Sequence, residues 1–145
     1  VGVQGGSYGG YMAAWLIGHT DRFAAAIVER GFLDTESFFG ASDIGWFFVE
    51  AYNGTDAAHR LTQAPQTFAD RVRTPTLVLH SENDLRCPLG PALRYYTTLR
   101  LGGVDAELLV FPGENHELSR SGTPQHRLQR FEAILDWWTR HLPPS

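Results

Sequence analysis

The sequence predicts an α/β fold built on a parallel sheet with helices on its faces. Segments typical of strands alternate with segments typical of helices along the chain. Residues 75–80 (PTLVLH) form an uninterrupted apolar run, which is typical of a parallel strand covered on both faces. Alternation of this kind favours right-handed crossovers, with ligands bound beyond the carboxyl ends of the strands.

The first half of the chain offers two strands and one helix before an irregular segment. Residues 1–3 are expected to end a buried strand, and residues 8–18 to form a helix that ends near Gly18. Residues 23–29 (FAAAIVE) predict the next strand. Residues 31–70 are rich in aromatic side chains and too long for a simple loop, so we expect short helices there that cover the sheet edge or line a pocket.

The second half continues the alternation after the apolar run. Pro88 is expected to start a helix that runs to about Leu101, and residues 106–111 (AELLVF) predict the last strand. The final helix is predicted over residues 124–141. Its apolar residues recur at helical spacing and are expected to form one face: Leu128, Phe131, Ile134, Leu135 and Trp138.

The segment Gly5-Gly6-Ser7-Tyr8-Gly9 lies between the first predicted strand and helix and has the Gly-x-Ser-x-Gly pattern of a nucleophile elbow. In such a turn the serine adopts a strained backbone conformation that exposes its hydroxyl above the sheet. We expect a Cβ at Gly5 or Gly9 to collide with the neighbouring strand and helix. A glycine-rich turn without chemistry is the alternative, and the strand-before, helix-after context argues against it.

Three residues with catalytic chemistry follow strand ends in the order Ser7, Asp84, His116, which is the order expected of an α/β-hydrolase. A serine hydroxyl needs a base to remove its proton during attack, and His116 would serve as that base. Asp84 would fix the imidazole tautomer, and the Tyr8 backbone N–H would donate to the oxyanion. Glu82 competes with Asp84 but lies earlier in the same turn.

The other histidines and the cysteine have simpler interpretations. His80 lies at a strand end and is expected to be structural, and His19 is expected to cap carbonyls at a helix end. His126 and His141 belong to the last helix and are expected to be solvated. Cys87 is expected to be a small buried residue rather than a reactive thiol.

Composition excludes several classes of protein. The 145 residues fit one domain, and the net charge of −4 without a basic block argues against a nucleic-acid partner. The apolar stretches are too short to span a membrane. The single cysteine excludes an internal disulfide and fits a reducing cytoplasm. We expect neither a metal nor another cofactor, because no His, Asp or Glu cluster has ligand spacing.

Three stretches resemble one family of serine peptidases. They are residues 5–12 (GGSYGGYM), residues 80–88 (HSENDLRCP) and residues 111–118 (FPGENHEL). With them, essentially the whole chain resembles the C-terminal part of the α/β-hydrolase catalytic domain of the prolyl oligopeptidase family, in its acylaminoacyl-peptidase and dipeptidyl-aminopeptidase-like branch. The resemblance implies a serine peptidase with Ser7 as nucleophile, Asp84 as orienting acid and His116 as base.

The resemblance also implies substrate contacts. Arg86 stands two residues after the acid, where the family has an arginine that can contact a substrate carbonyl. The family's hydrophobic P1 pocket is built partly from the segment after the second strand, here about residues 32–50. Leu33, Phe38 and Phe39 are the candidate wall residues, and ordinary core packing explains each of them equally well.

In this family a loop earlier in the domain supplies a second oxyanion donor, and an N-terminal β-propeller restricts entry to short peptides. Neither lies in residues 1–145, so we expect this chain to be the C-terminal piece of a longer protein, inactive without the N-terminal portion. The expected substrate is a short peptide, and a homo-oligomer is compatible with the sequence. Two other functions stay open: an esterase or lipase-like hydrolase, and a non-catalytic binding module.

Overall fold

Four parallel strands form one sheet in the computed structural model, which describes residues 1–142. The strands are β1 (Gly2–Gly6), β2 (Ala25–Glu29), β3 (Thr76–Ser81) and β4 (Ala106–Phe111), and they lie in the order β1-β2-β3-β4. The α/β class and the parallel sheet are therefore confirmed. The strands fall within one or two residues of the predicted segments, except that β1 continues beyond residue 3 to Gly6.

Helices connect the strands and flank the sheet. They are α1 (Tyr8–Ile17), α2 (Thr35–Ala41), α3 (Gly45–Asn53), α4 (Ala57–Thr62), a 3-10 helix (Pro65–Arg71), α5 (Leu89–Leu101), α6 (Leu118–Ser121) and α7 (Pro124–His141). The segment between β2 and β3 thus consists of short helices, as predicted. Asp34 begins α2 by accepting hydrogen bonds from the backbone N–H groups of Glu36 and Ser37.

Alternate residues of the central strands enter two cores. Val28 and Val78 point to the side covered by α1 and α5, whereas Ile27 and Leu79 point to the side covered by α7. All four side chains are buried, and removing each from water contributes about 1.5–3 kcal/mol. The two central strands, β2 and β3, are consequently buried on both faces, as the PTLVLH run predicts for β3.

The apolar face predicted for α7 is only partly correct. Ile134 is buried and Trp138 packs partly buried against the same core, but Leu128, Phe131 and Leu135 are 59%, 54% and 65% exposed. The side chain that anchors the helix to the sheet is instead Trp137, which is fully buried. Helical spacing identifies which residues share a face, but a helix with two apolar stripes leaves open which stripe meets the sheet.

The strand register brings the chemistry-bearing turns together. The aligned pairs are Gly6 with Glu29, Glu29 with Leu79, and Leu79 with Leu109. The carboxyl ends of all four strands therefore meet at one edge of the sheet, where a parallel sheet gathers its ligand-binding loops. None of the helices within residues 1–142 has the length and apolar character needed to cross a membrane.

Candidate active site

Ser7 occupies a strained turn between β1 and α1. Its backbone has φ 60° and ψ −117°, outside the broadly allowed regions for a residue with a side chain. Such a conformation costs about 1–3 kcal/mol and persists only where the surroundings enforce it. Here the Ser7 N–H donates to the Glu29 carbonyl at 3.0 Å, and the Ser7 carbonyl accepts from the Tyr11 N–H at 3.0 Å. The turn is thus bonded on one side to β2 and on the other to α1.

Close backbone approach at this turn requires glycine at Gly5 and Gly10. A Cβ on Gly5 would lie 2.1 Å from the Gly9 carbonyl oxygen, and one on Gly10 would lie 2.7 Å from the Glu29 carbonyl oxygen. A Cβ on Gly9 would meet no described atom within 4 Å. The expectation was therefore right for Gly5 and wrong for Gly9, because Gly9 contributes the backbone that Gly5 contacts while its own Cβ position faces open space.

The side chains of Ser7, His116 and Asp84 form one hydrogen-bonded chain. His116 Nε2 lies 2.9 Å from Ser7 Oγ, and His116 Nδ1 lies 2.8 Å from Asp84 Oδ2. An ionised carboxylate only accepts hydrogen bonds, so this contact places the proton on Nδ1. The other imidazole nitrogen is then free to accept the serine proton.

The Asp84 carboxylate is held by its own loop. Its Oδ1 accepts the backbone N–H groups of Arg86 at 3.0 Å and Cys87 at 2.8 Å, and the side chain is completely buried. The competing carboxylate of Glu82 is used elsewhere, since it accepts the Gly113 N–H at 2.8 Å. The structure therefore brings Asp84, and not Glu82, to His116.

The other histidines are engaged away from Ser7. His80 is buried, and its Nε2–H donates to the Cys87 carbonyl at 2.7 Å. Burial lowers the pKa of His80, which keeps the ring neutral. His19 donates from Nδ1 to the Trp15 carbonyl at 2.7 Å, as expected for a helix end.

The solvated interpretation of the two histidines on α7 is wrong. His126 lies 2.7 Å from a Glu114 carboxylate oxygen, and His141 lies 3.1 Å from an Asp105 carboxylate oxygen. Cys87 is 3% exposed, and burial raises the pKa of its thiol, so the structure favours the expected buried role.

An apolar cavity of about 440 Å³ opens beside Ser7. Its wall is mostly aromatic and comes from α1, α2, α3 and the loops before α2 and α3: Tyr8, Phe32, Phe38, Ile44, Phe48 and Tyr52. The rings pack against each other, with centroids 4.3 Å apart for Phe32 and Phe38 and 4.6 Å apart for Phe48 and Tyr52.

Of the three wall residues expected from the sequence, only Phe38 lines this cavity. Leu33 is 1% exposed and packs in the core that lies between the sheet and helices α1 and α5. Phe39 lies under the Arg60 guanidinium, 4.7 Å from the ring centroid. Sequence reasoning missed Phe32 and Phe48, although the aromatic richness of residues 31–70 pointed to the correct segment.

Arg86 stands between the apolar cavity and a polar cavity of about 460 Å³ that His116 also lines. Its guanidinium binds the Asp43 carboxylate through two hydrogen bonds, of 2.6 and 3.1 Å. These hydrogen bonds lower the pKa of Asp43. The pair leaves Arg86 close to half-exposed at the cavity mouth, where the sequence resemblance places a substrate contact.

The Tyr8 N–H belongs to the first turn of α1, where backbone N–H groups lack an acceptor within the helix. The side chain of Ser7, the residue at the N-cap position, makes no capping hydrogen bond to this end of the helix. The arrangement therefore combines a hydroxyl, an imidazole that contacts it and a backbone N–H in the first turn of a helix, and groups of these kinds can carry out acyl transfer. Within residues 1–142, no three His, Cys, Asp or Glu side chains are grouped as metal ligands.

Comparison with known proteins gives one consistent result. A model of the prolyl oligopeptidase family matches residues 1–145. A peptidase of Bacillus subtilis that is described as uncharacterised is 40% identical over 98% of this chain and 22% of its own length. The acylamino-acid-releasing enzyme of Arabidopsis thaliana is 34% identical over 96% of this chain and 19% of its own length.

Solved structures agree with the sequence matches. The acylaminoacyl peptidase of Pyrococcus horikoshii superposes with a TM-score of 0.92 at 33% identity, over 97% of this chain and 24% of its own. A puromycin hydrolase superposes with a TM-score of 0.90 at 28% identity, over 99% of this chain and 22% of its own. The chain thus spans only about a fifth to a quarter of the length of these relatives.

Proposed function

Because the chain belongs to the prolyl oligopeptidase family of serine peptidases, we propose that it carries the catalytic group of an enzyme that hydrolyses short peptides through Ser7. One observation carries the proposal: the continuous contact from Ser7 Oγ to His116 Nε2 at 2.9 Å and from His116 Nδ1 to Asp84 Oδ2 at 2.8 Å. These are the contacts that a serine nucleophile needs, since its hydroxyl is otherwise a weak nucleophile.

The proposed reaction follows from this geometry. Ser7 Oγ attacks the substrate carbonyl carbon while His116 Nε2 takes the hydroxyl proton, and Asp84 stabilises the resulting imidazolium. The carbonyl oxygen becomes an oxyanion that accepts the Tyr8 N–H. His116 then gives its proton to the leaving amine, which departs and leaves an acyl ester on Ser7. Water, deprotonated by His116, hydrolyses the ester and restores the hydroxyl.

The cavity and Arg86 define the proposed substrate. The aromatic cavity beside Ser7 would receive the apolar side chain of the residue whose carbonyl is attacked. Arg86, fixed by Asp43, would donate to a carbonyl of the preceding substrate residue. The substrate is therefore a short peptide with an apolar or aromatic residue at the cleaved bond.

We propose that this activity also requires residues that precede the chain in a longer parent protein. The Tyr8 N–H is one oxyanion donor, and the family's second donor belongs to an earlier loop. The loss of one such donor typically lowers the rate by about 10²–10³. We also propose a cytoplasmic location. The free thiol of Cys87 is compatible with the reducing conditions there.

Fluorophosphonate labelling of the full-length parent protein tests the proposal. We expect the probe to modify Ser7 in the wild type and to leave Ser7→Ala unmodified, with loss of turnover on a chromogenic peptide anilide. An unlabelled wild type that is folded would indicate a binding module. Matched ester and amide substrates complete the test, because turnover of the ester alone would indicate an esterase. The chain of 145 residues, assayed alone, is expected to be at least about 100-fold slower than the parent.

A further inference from the structure

The turn that carries His116 lies between β4 and the short helix α6, outside regular secondary structure. Hydrogen bonds between neighbouring loops hold its first part. The Gly113 N–H donates to the Glu82 carboxylate at 2.8 Å, and the Glu82 N–H donates to the Phe111 carbonyl at 3.1 Å. The imidazole of His116 is 12% exposed. Because no helix or strand holds His116, the position of its side chain depends on the contacts that anchor this turn.

Glu114, two residues before His116, binds the turn to the N-terminus of α7. One of its carboxylate oxygens accepts three hydrogen bonds: from the Thr123 N–H at 3.0 Å, the Thr123 hydroxyl at 2.8 Å and His126 Nδ1 at 2.7 Å. Glu114 is 7% exposed. The hydrogen bonds from His126 and Thr123 lower the pKa of Glu114, so the carboxylate is ionised at neutral pH.

The backbone of Glu114 contacts the other catalytic loop. Its carbonyl accepts the Asn83 N–H at 2.9 Å, directly before Asp84. Glu114 therefore contacts the Asp84 loop with its main chain and α7 with its side chain, while its own loop carries His116. The two loops and the helix share one junction at Glu114.

A second carboxylate–histidine pair on the same helix provides a comparison. His141, at the other end of α7, lies 3.1 Å from Asp105, which precedes β4. Both pairs attach α7 to a loop beside β4, but only the Glu114 pair lies at the edge of the sheet that carries Ser7. If these pairs served only to hold the helix, the loss of either would affect the fold alone.

We propose that Glu114, held by Thr123 and His126, is a positioning residue that sets the distance from the His116 imidazole to Ser7 and Asp84. The proposal rests on the proposed function of Ser7 and adds a residue that contacts neither substrate nor reacting atoms. A misplacement of about 1 Å in a catalytic group can cost about 10² in rate, so a loosened turn lowers kcat even when the fold is intact.

The experiment compares Glu114→Ala and Glu114→Gln in the full-length protein, with kcat expressed per active site titrated by a fluorophosphonate. For Glu114→Ala we expect kcat to fall by about 30- to 100-fold, with KM changed less than about twofold. Glutamine keeps an oxygen that accepts the same three donors, so Glu114→Gln should recover to within about fivefold of the wild type. If Glu114→Ala does not fold, Thr123→Val removes the hydroxyl that donates to Glu114 and that also caps α7 by accepting the His126 N–H. It keeps the hydrogen bonds from the Thr123 N–H and from His126 to Glu114, so it should lower kcat per titrated site by a smaller factor.

Asp105→Ala is the matched control, because it breaks the corresponding pair at the far end of α7. It should lower the melting temperature and leave kcat per titrated site unchanged. Unchanged kcat per site in every folded Glu114 and Thr123 variant would overturn the positioning role, and so would an equal loss in Asp105→Ala. Failure of the wild type to be labelled would instead overturn the proposed function, and the positioning role with it.

Discussion

Directional hydrogen bonds hold the sheet edge that carries Ser7, Asp84 and His116, whereas packed aromatic rings enclose the cavity beside it. At the edge, the Asp84 carboxylate accepts three hydrogen bonds of 2.8 to 3.0 Å, which fix one rotamer of Asp84 and one tautomer of His116. In the cavity, Phe38 and Phe48 meet at a centroid distance of 5.6 Å without any polar contact.

The difference predicts how each region responds to change. Hydrogen bonds to a buried charge are lost whole when one partner is replaced, and the group that remains is left unpaired. Apolar contacts are lost atom by atom, and neighbouring rings can shift to fill part of the space. We therefore expect substitutions at the edge to abolish turnover, and substitutions in the cavity to redistribute preference among substrates.

The largest expected effect is that of Asp84→Asn. An amide at this position donates as well as accepts, so it favours the imidazole tautomer that cannot receive the serine proton. We expect kcat of the full-length protein on a peptide anilide to fall by about 10⁴. Glu82→Gln is the control, because the Glu82 carboxylate accepts the Gly113 N–H rather than a hydrogen bond from His116, and the amide oxygen of glutamine can still accept that N–H. Similar losses in the two variants would contradict the assignment of Asp84.

A smaller effect is expected in the cavity, where Phe38→Ala and Phe39→Ala form a matched pair of neighbours. Phe38 lines the cavity and Phe39 packs under Arg60, so only the first substitution enlarges the space beside Ser7. We expect Phe38→Ala to lower kcat/KM by about 10- to 200-fold for a substrate with phenylalanine at the cleaved bond, relative to one with alanine. This ratio is independent of the folded fraction.

For Phe39→Ala the same ratio should stay at its wild-type value while the melting temperature falls. A changed ratio in Phe39→Ala, or an unchanged ratio in Phe38→Ala, would show that the cavity is not the subsite for that side chain.

The same two regions differ in how far the sequence predicts them. The positions of Ser7, Asp84 and His116 follow from where each strand ends, because strand ends of a parallel sheet meet at one edge. The cavity wall depends on the orientation of short helices and of the loops between them, which spacing over a few residues does not determine. Phe32 lines the cavity while its neighbour Leu33 packs in the core.

Longer-range packing explains the remaining differences. Gly9 and Gly10 are adjacent and alike in sequence, yet only Gly10 faces the backbone of β2. The sequence predicts a solvated histidine at position 126, but the turn after β4 places Glu114, twelve residues earlier, beside its imidazole. In both cases the residue's environment is determined by a contact with another structural element. A pattern of neighbouring residues in the sequence does not predict that contact.

The smallest expected effect concerns His80, whose side chain is buried, as in the apolar region, and hydrogen-bonded to the Asp84 loop, as at the sheet edge. Burial lowers its pKa in the folded protein from the model-compound value of 6.5. As the pH falls below about 6.5, His80 takes up a proton in the unfolded chain but stays neutral in the folded protein. The free energy of unfolding therefore declines with decreasing pH. For the first pH unit below 6.5 this decline is at most about 1 kcal/mol.

His80→Gln keeps a donor for the Cys87 carbonyl and removes the titration. In the full-length protein, its free energy of unfolding should therefore fall less between pH 7.5 and 5.5 than that of the wild type, by up to about 1.4 kcal/mol. Between pH 7.5 and 8.5, histidine at this position is neutral in both the folded and the unfolded chain, so the two proteins should change in parallel. Equal slopes in the acidic interval would mean that His80 takes up its proton in the folded state, and the Asp84 loop would then be held by a charged rather than a neutral ring.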